Sequence, residues 1–279
     1  MKIIESRFEA YAQVSKWRQA GASVGLVPTM GALHAGHLAL AQRSAGECDK
    51  SVATIFVNPT QFAAHEDLSR YPRTLDDDLQ GLREKQTDLV FLPQPEELYP
   101  AGFSTYVEPP SSAQPLEGEF RPTHFRGVTT IVLKLFNILP ATVGYFGQKD
   151  FQQLTVIRRM VDDFNIPIRI EGCETVREPD GLALSSRNRF LSTEQRQLAL
   201  GLSRALSAAV EQTGAGIVAV HQLEQNMIRI LRESGLERID YACIVDRHTL
   251  ERLPQLDRPA VALIAAHVGE TRLIDNVLL

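Results

Sequence analysis

The chain has 279 residues, 44% of them hydrophobic and 23% charged, so it can bury a sizeable core and is neither a disordered tail nor a fibre. Its formal net charge of −5 divides without strong asymmetry between the two parts of the chain, which excludes a polyanion-tracking surface; the expected partners are small molecules gripped by a few local groups, not nucleic acid. Cys48, Cys173 and Cys243 form no C-x-x-C pair, so neither a disulfide framework nor a zinc knuckle is indicated, and a cytoplasmic setting is expected.

The N-terminal stretch MKIIESRFEAYAQVSKWRQ carries charges every few residues where a secretory signal needs an unbroken apolar run. No apolar stretch approaches membrane-spanning length, and no membrane partner is expected. The run Val24 to Pro28 predicts a strand, HLALAQRSAGEC a helix, and SVATIFVN a second strand. After a polar loop, a helix is predicted from Leu75 to Gln86, then a short strand in DLVFLP. In HFRGVTTIVLKLFNILP, the residues Val128, Ile131, Val132, Leu135 and Ile138 recur at helical spacing. VGYFG then predicts a strand, DFQQLTVIRRMVDDF a helix, and Ile166 to Ile170 a further apolar run. Repeated strand–helix units of this length imply a Rossmann-like, doubly wound parallel sheet, which binds ligands beyond the carboxyl ends of its strands.

The pattern changes after about residue 176. A loop with Pro179 and Gly181 leads through LSSRNRFL to two helical patterns, roughly 193–213 and 217–234. Three strand-like runs follow, RIDYACIVD, AVALIAAHV and TRLIDNVLL. The expected fold is α/β, with an N-terminal Rossmann-like domain over residues 1–176 and a smaller C-terminal α+β lid domain over 177–279, its sheet antiparallel.

The strongest local signal is PTMGALHAGH, residues 28–37, where the first strand gives way to the first helix. Unpaired N–H groups and the positive end of the dipole at a helix start favour an anion, and Gly31 and Gly36 clear the way for a phosphate. Two imidazoles, His34 and His37, can donate to phosphate oxygens. A reaction at an α-phosphorus builds charge there, and donors fixed in advance lower its barrier. The same two rings would equally serve as helix caps or as a partial metal site.

Gly147-Gln148-Lys149-Asp150 sits at another strand-to-helix switch, where Lys149 offers a point charge and Asp150 an ordinary N-cap or a partner for a nucleotide hydroxyl. Leu184-Ser185-Ser186-Arg187-Asn188 puts two hydroxyls and a guanidinium on a loop that can close over a triphosphate, or that simply caps its own turns. Asn58-Pro59-Thr60-Gln61-Phe62 places two amides at the end of the second strand, suited to hydroxyl and carboxylate recognition or to a plain surface turn.

Taken together and in order, PTMGALHAGH, VNPTQF, HFRGV, FGQKDFQQL and SSRN resemble the pantothenate synthetase (pantoate–β-alanine ligase) family across nearly the whole chain. H-x-G-H alone is similar to the wider nucleotidyltransferase superfamily that includes class I aminoacyl-tRNA synthetases. Leu184 stands where many members have methionine, Gln148 where acidic residues are common, and Thr123 where glycine is frequent. The resemblance implies condensation of (R)-pantoate with β-alanine, with ATP cleaved to AMP and pyrophosphate through a pantoyl adenylate. It assigns Met30, Gly31, Ala32, Leu33, His34, Ala35, Gly36 and His37 to the ATP site, with His34 and His37 on the phosphates and His37 as the proton donor. It further gives ATP the residues Gly147, Gln148, Lys149 and Asp150, then Val176, Leu184, Ser185, Ser186 and Arg187. Catalytic roles fall to His37, His34, Lys149 and Arg187. Gln61 and Gln153 are assigned to pantoate, with Gln61 also near β-alanine. Mg²⁺ is expected on the nucleotide's phosphates, with no protein metal site. The loop from Phe62 to Thr74 resembles a wall that keeps water from the acyl adenylate. Family members are typically homodimers, which is the expectation here.

Two other readings remain at this point. One is a nucleotidyltransferase of the same superfamily acting on a different small-molecule acceptor; the other is a nucleotide-binding sensor without chemistry. A tRNA-acylating enzyme is disfavoured by the charge distribution and by a C-terminal part short for an anticodon-reading module.

Overall fold

The computed structural model describes residues 1–63, 68 and 72–279. The chain forms two compact units, Met1–Gln148 with Gln152–Glu174, and Lys149–Phe151 with Thr175–Leu279.

In the first unit six strands form one sheet: β1 (Lys2–Ile4), β2 (Val24–Thr29), β3 (Lys50–Ile55), β4 (Leu89–Phe91), β5 (Val143–Gly147) and β6 (Arg169–Cys173). Their order is β1-β4-β3-β2-β5-β6, and every pair is parallel. The helices are α1 (Arg7–Gln19), α2 (Ala35–Glu47), α3 (Leu75–Glu84), the single turns α4 (Pro95–Leu98) and α5 (Glu117–Phe120), then α6 (His124–Ile138) and α7 (Phe151–Asp163).

Strand side chains alternate between faces, so a sheet covered on both sides needs two apolar sets. One set joins Val24, Leu26, Val52, Leu89 and Phe91 to Val14 of α1, Ile131 and Leu135 of α6, and Leu154 and Ile157 of α7. The other joins Val27, Ala53, Ile55, Val90 and Tyr145 to Leu40 of α2 and to Leu79 and Leu82 of α3. The sheet is therefore doubly wound, as the strand–helix alternation implied.

Two N-terminal elements were not predicted. β1 is three residues long and gains its ladder only by pairing Lys2 to Leu89 through Ile4 to Phe91. α1 buries only Ala10 and Val14. The last strand also lies later than the apolar run Ile166 to Ile170. Asn165 at φ 51° ends the preceding helix, Pro167 has no N–H to donate, and the ladder begins only at Val143↔Arg169.

In the second unit β7 (Ile239–Asp246), β8 (Ala260–Val268) and β9 (Thr271–Leu278) make an antiparallel sheet in that order. The helices α8 (Thr193–Gly214) and α9 (Val220–Glu233) bury Leu202, Leu206, Leu223, Met227 and Leu231 in one cluster with Ala242, Ile244, Ala262 and Ile264 of the strands. The Arg177 guanidinium forks onto the buried Asp275 carboxylate of β9, with Nη1 to Oδ2 at 2.7 Å and Nη2 to Oδ1 at 2.9 Å. A capping box starts α8: Ser192 Oγ accepts the Gln195 N–H at 3.2 Å, and Gln195 Oε1 accepts the Ser192 N–H at 3.0 Å. Ser192→Ala is expected to cost about 1 kcal/mol, read as a lowered urea midpoint; an unmoved midpoint would show the cap adds nothing to stability. Among the described residues no helix is long and apolar enough to cross a membrane.

Candidate active site

The strand order reverses between β2 and β5: the chain runs outward from β2 through β3 and β4, then returns to place β5 on the other side of β2. Open parallel sheets hold ligands at such a switch point, beyond the carboxyl ends of the strands. The β2–β5 ladder stops at Leu26↔Gly144, although β2 continues to Thr29 and β5 to Gly147. Two of the motifs singled out from sequence leave the sheet here, one from each strand.

Past Thr29 the chain turns through Met30 to Leu33 into α2. Gly31 has φ 82° and Ala32 φ 50°, two successive left-handed residues that aim neighbouring N–H groups to one side. The N–H groups of Ala32 and Leu33 donate to Asp78 Oδ2 at 2.9 Å and Oδ1 at 2.8 Å. A Cβ on Gly31 would stand 3.0 Å from that same Oδ2. The N–H groups of Ala32 and Leu33, which precede the helix start, therefore have an acceptor in a carboxylate of the protein itself.

His34 is the N-cap of α2. Its Nδ1 accepts the Gly36 N–H at 3.2 Å, and His37 Nδ1 accepts the His34 N–H at 3.4 Å, so the two rings form a reciprocal capping box. The rings stack with centroids 4.1 Å apart and planes 33° apart. A ring whose Nδ1 accepts carries its proton on Nε2. Both imidazoles thus have the same tautomer, and capping and donating are two uses of one geometry. Gly36 makes room for this stack, since its Cβ would lie 2.9 Å from His34 Cε1.

Asn58 organises the end of the next strand. Its Oδ1 accepts the Tyr99 O–H at 2.8 Å and the Thr60 O–H at 3.0 Å, while its Nδ2 donates to Gln61 Oε1 at 3.1 Å and to the Gly127 carbonyl at 3.2 Å. Burial pushes the Tyr99 phenol up to about 12, so it stays a donor to Asn58 across the neutral range. With its Oε1 so engaged, Gln61 presents its amide N–H₂, which lies 3.1 Å from Met30 Sδ. Sequence reading named Gln61 and Met30, and the fold brings them into contact. His124 Nδ1 meets the Gln61 carbonyl at 3.1 Å from the start of α6. The HFRGV segment, to which no role was given, therefore supports this amide. Tyr99 and Asp78 escaped notice as well: Tyr99 belongs to no motif, and Asp78 is the last of three aspartates that read as ordinary helix-start acids.

Of the two adjacent glutamines opening α7, Gln152 is buried, with Nε2 donating to the carbonyls of Ser112 at 2.9 Å and Pro115 at 2.7 Å and Oε1 accepting the Glu117 N–H at 3.0 Å. Gln153, the one assigned to pantoate, is half-buried, as are Gly147 and Gln148.

In the second unit the Lys149 carbonyl accepts the Asn276 side-chain N–H at 2.8 Å, and Asp150 is exposed. Val176 and Leu184 face each other, with the Leu184 N–H donating to the Val176 carbonyl at 3.0 Å. Ser185 Oγ accepts the Arg187 N–H at 3.2 Å and caps the short 3-10 turn Ser186–Phe190. Asn188 Nδ2 donates to Glu178 Oε1 at 3.2 Å and to the Ala183 carbonyl at 3.0 Å, which fixes the base of this loop. Ser186 and Arg187 are half-buried on its rim. Of the loop from 62 to 74, residues 64–67 and 69–71 lie outside the described residues.

Among the described residues no three His, Cys, Asp or Glu side chains gather as a metal-binding group. The pantoate-beta-alanine ligase family model matches residues 2–278. A pantothenate synthetase of Syntrophobacter fumaroxidans is 49% identical over 279 residues, covering 100% of this chain and 99% of that protein. The crystal structure of pantothenate synthetase from Thermus thermophilus superposes with a TM-score of 0.94 at 44% identity, covering 99% of each chain. The pantoate-beta-alanine ligase from Francisella tularensis, complexed with beta-gamma ATP and beta-alanine, gives a TM-score of 0.81 at 33% identity over 100% of this chain and 97% of that one. Matched by the family model over residues 2–278 and by relatives over nearly the whole of both chains, this chain belongs to the pantoate–β-alanine ligase family.

Proposed function

We propose that the His34–His37 pair stabilises the α-phosphate of ATP while the Gln61 and Gln153 amides hold pantoate. The reaction is the ATP-dependent condensation of (R)-pantoate with β-alanine to pantothenate, AMP and pyrophosphate. A carboxylate is a poor acyl donor because it would have to expel an oxide, whereas a mixed anhydride expels AMP. In the first step the pantoate carboxylate attacks the α-phosphorus in line and pyrophosphate leaves. In the second the β-alanine amine attacks the acyl carbon, loses a proton, and AMP departs.

The single observation that carries this reading is the double cap at the switch point. It holds two Nε2–H donors on one stacked pair in the turn that follows β2. His37 donates to the phosphorane oxygens, and His34 orients it through the cap. Gln61 offers N–H₂ to a carboxylate or hydroxyl, matching pantoate, which carries both. Lys149, Ser185, Ser186 and Arg187 act on the phosphates, and Gly147 to Asp150 with Val176 and Leu184 serve the nucleotide. Mg²⁺ rides on the triphosphate oxygens, since it retains water readily and suits phosphate ligands. The enzyme works in the cytoplasm as a homodimer.

Omitting one component at a time from ATP, Mg²⁺, pantoate and β-alanine tests the reading directly. AMP and pantothenate in equal amounts only with everything present is the expected result; a nucleotidylated acceptor with no pantothenate would overturn it. Lys149→Ala is expected to raise the ATP concentration needed for half-maximal rate at least about tenfold, the scale of one charge-assisted contact. An unchanged ATP dependence would reduce the lysine to surface charge.

A further inference from the structure

We propose that Asp78 is a positioning residue for adenylate formation, acting as the internal anion that sets the turn before His34. Asp76 and Asp77 beside it are exposed, whereas Asp78 is 2% exposed. A carboxylate so buried is stable only where donors surround it. Asp78 has three: the Ala32 and Leu33 N–H groups, and the Thr74 O–H at 3.0 Å on Oδ1.

The geometry gives this arrangement a function beyond satisfying the charge. Ala32 at φ 50° lies in the left-handed region that residues with a Cβ rarely adopt, and it persists only where its surroundings impose it. The bidentate acceptor imposes it by holding consecutive N–H groups on one side. Leu33 leads directly to His34, the N-cap, whose own N–H reaches His37 Nδ1. A shift of the turn therefore reaches both rings in sequence. Near-attack geometry is sensitive to displacements of about 1 Å, which cost up to about a hundredfold in rate. Asp78 lies on α3, so its bonds to Ala32 and Leu33 tie that helix to the histidine turn, and Thr74, the helix's N-cap, holds the carboxylate in place from within the same helix.

This proposal rests on assigning the histidine pair to the α-phosphate, and its test separates the two. Asp78→Asn keeps the shape but puts an N–H₂ against a backbone N–H. Rapid-quench measurement at saturating ATP and pantoate is expected to show adenylate formation slowed at least about tenfold, with the KM for ATP within about threefold of wild type. In a His37→Ala background the same substitution is expected to cost less than about threefold, because the route through His37 is already lost. A wild-type rate in Asp78→Asn beside a slow His37→Ala overturns the proposal alone, as does an equal loss in both backgrounds, which marks a general structural role. A wild-type rate in His37→Ala overturns the histidine assignment and the proposal with it. Should Asp78→Asn not fold, Thr74→Val decides: a loss of about threefold in the same rate supports the proposal, and an unchanged rate overturns it.

Discussion

Replacing His37 by alanine is expected to slow pantoyl adenylate formation at least about a hundredfold, the scale of losing one well-placed transition-state donor. Nucleotide binding should change by only a few fold, because the contact tightens as charge builds on the phosphorus. The cap explains why so large an effect can come from one ring. His37 is held by the His34 N–H at Nδ1 and by the stack at 4.1 Å, so its Nε2–H is fixed before ATP arrives. Rapid quench with labelled ATP reads the rate, and equilibrium titration reads the binding. A near wild-type rate would remove His37 from the chemistry. Loss of ATP binding in proportion to rate would instead make it a ground-state contact.

Gly127→Ala is expected to damage pantoate use and stability together. A Cβ there would lie 2.4 Å from the Thr60 carbonyl oxygen and 2.6 Å from the Gln61 N and Cα. These are backbone atoms, so the first turn of α6 and the Asn58–Gln61 turn must separate. That separation strains the Asn58 bond to the Gly127 carbonyl and the His124 bond to the Gln61 carbonyl, which together aim the Gln61 amide. The expected outcome is a loss of about 1–3 kcal/mol in stability, as for overpacking, with kcat/KM for pantoate down at least about tenfold. The KM for ATP should move much less. Steady-state kinetics with pantoate varied, alongside urea denaturation, checks both parts. Wild-type kcat/KM with lowered stability would show that the contact supports only the fold.

Much of the architecture was legible in the residues themselves. α6 shows why: Val128, Ile131, Val132 and Leu135 recur at helical spacing and are all buried. α1 shows the opposite case. Ala10 and Val14 are buried and Trp17 packs partly against the core, while Phe8 and Tyr11 are exposed, so its apolar residues spread beyond the buried face. β1 is too short for a pattern and exists because a parallel neighbour offers it a ladder.

The site divides along the same line. The sequence by itself determined which chemical groups are present at the two strand-to-helix switches, because H-x-G-H, Q-K-D and N-P-T-Q are local strings whose residue types already limit the chemistry. It left open whether His34 and His37 cap a helix or present donors. The fold shows that one nitrogen of each ring does the capping, which leaves the proton on the other. The sequence could not show that the Ala32 and Leu33 N–H groups belong to Asp78, that Gln152 and not Gln153 is buried in hydrogen bonds to its neighbours, or that HFRGV supports Gln61. Those facts join residues between about 40 and 70 positions apart. Their partners are chosen by how α3, α6 and α7 seat against the sheet and the segments beside it, and local spacing carries no record of that choice.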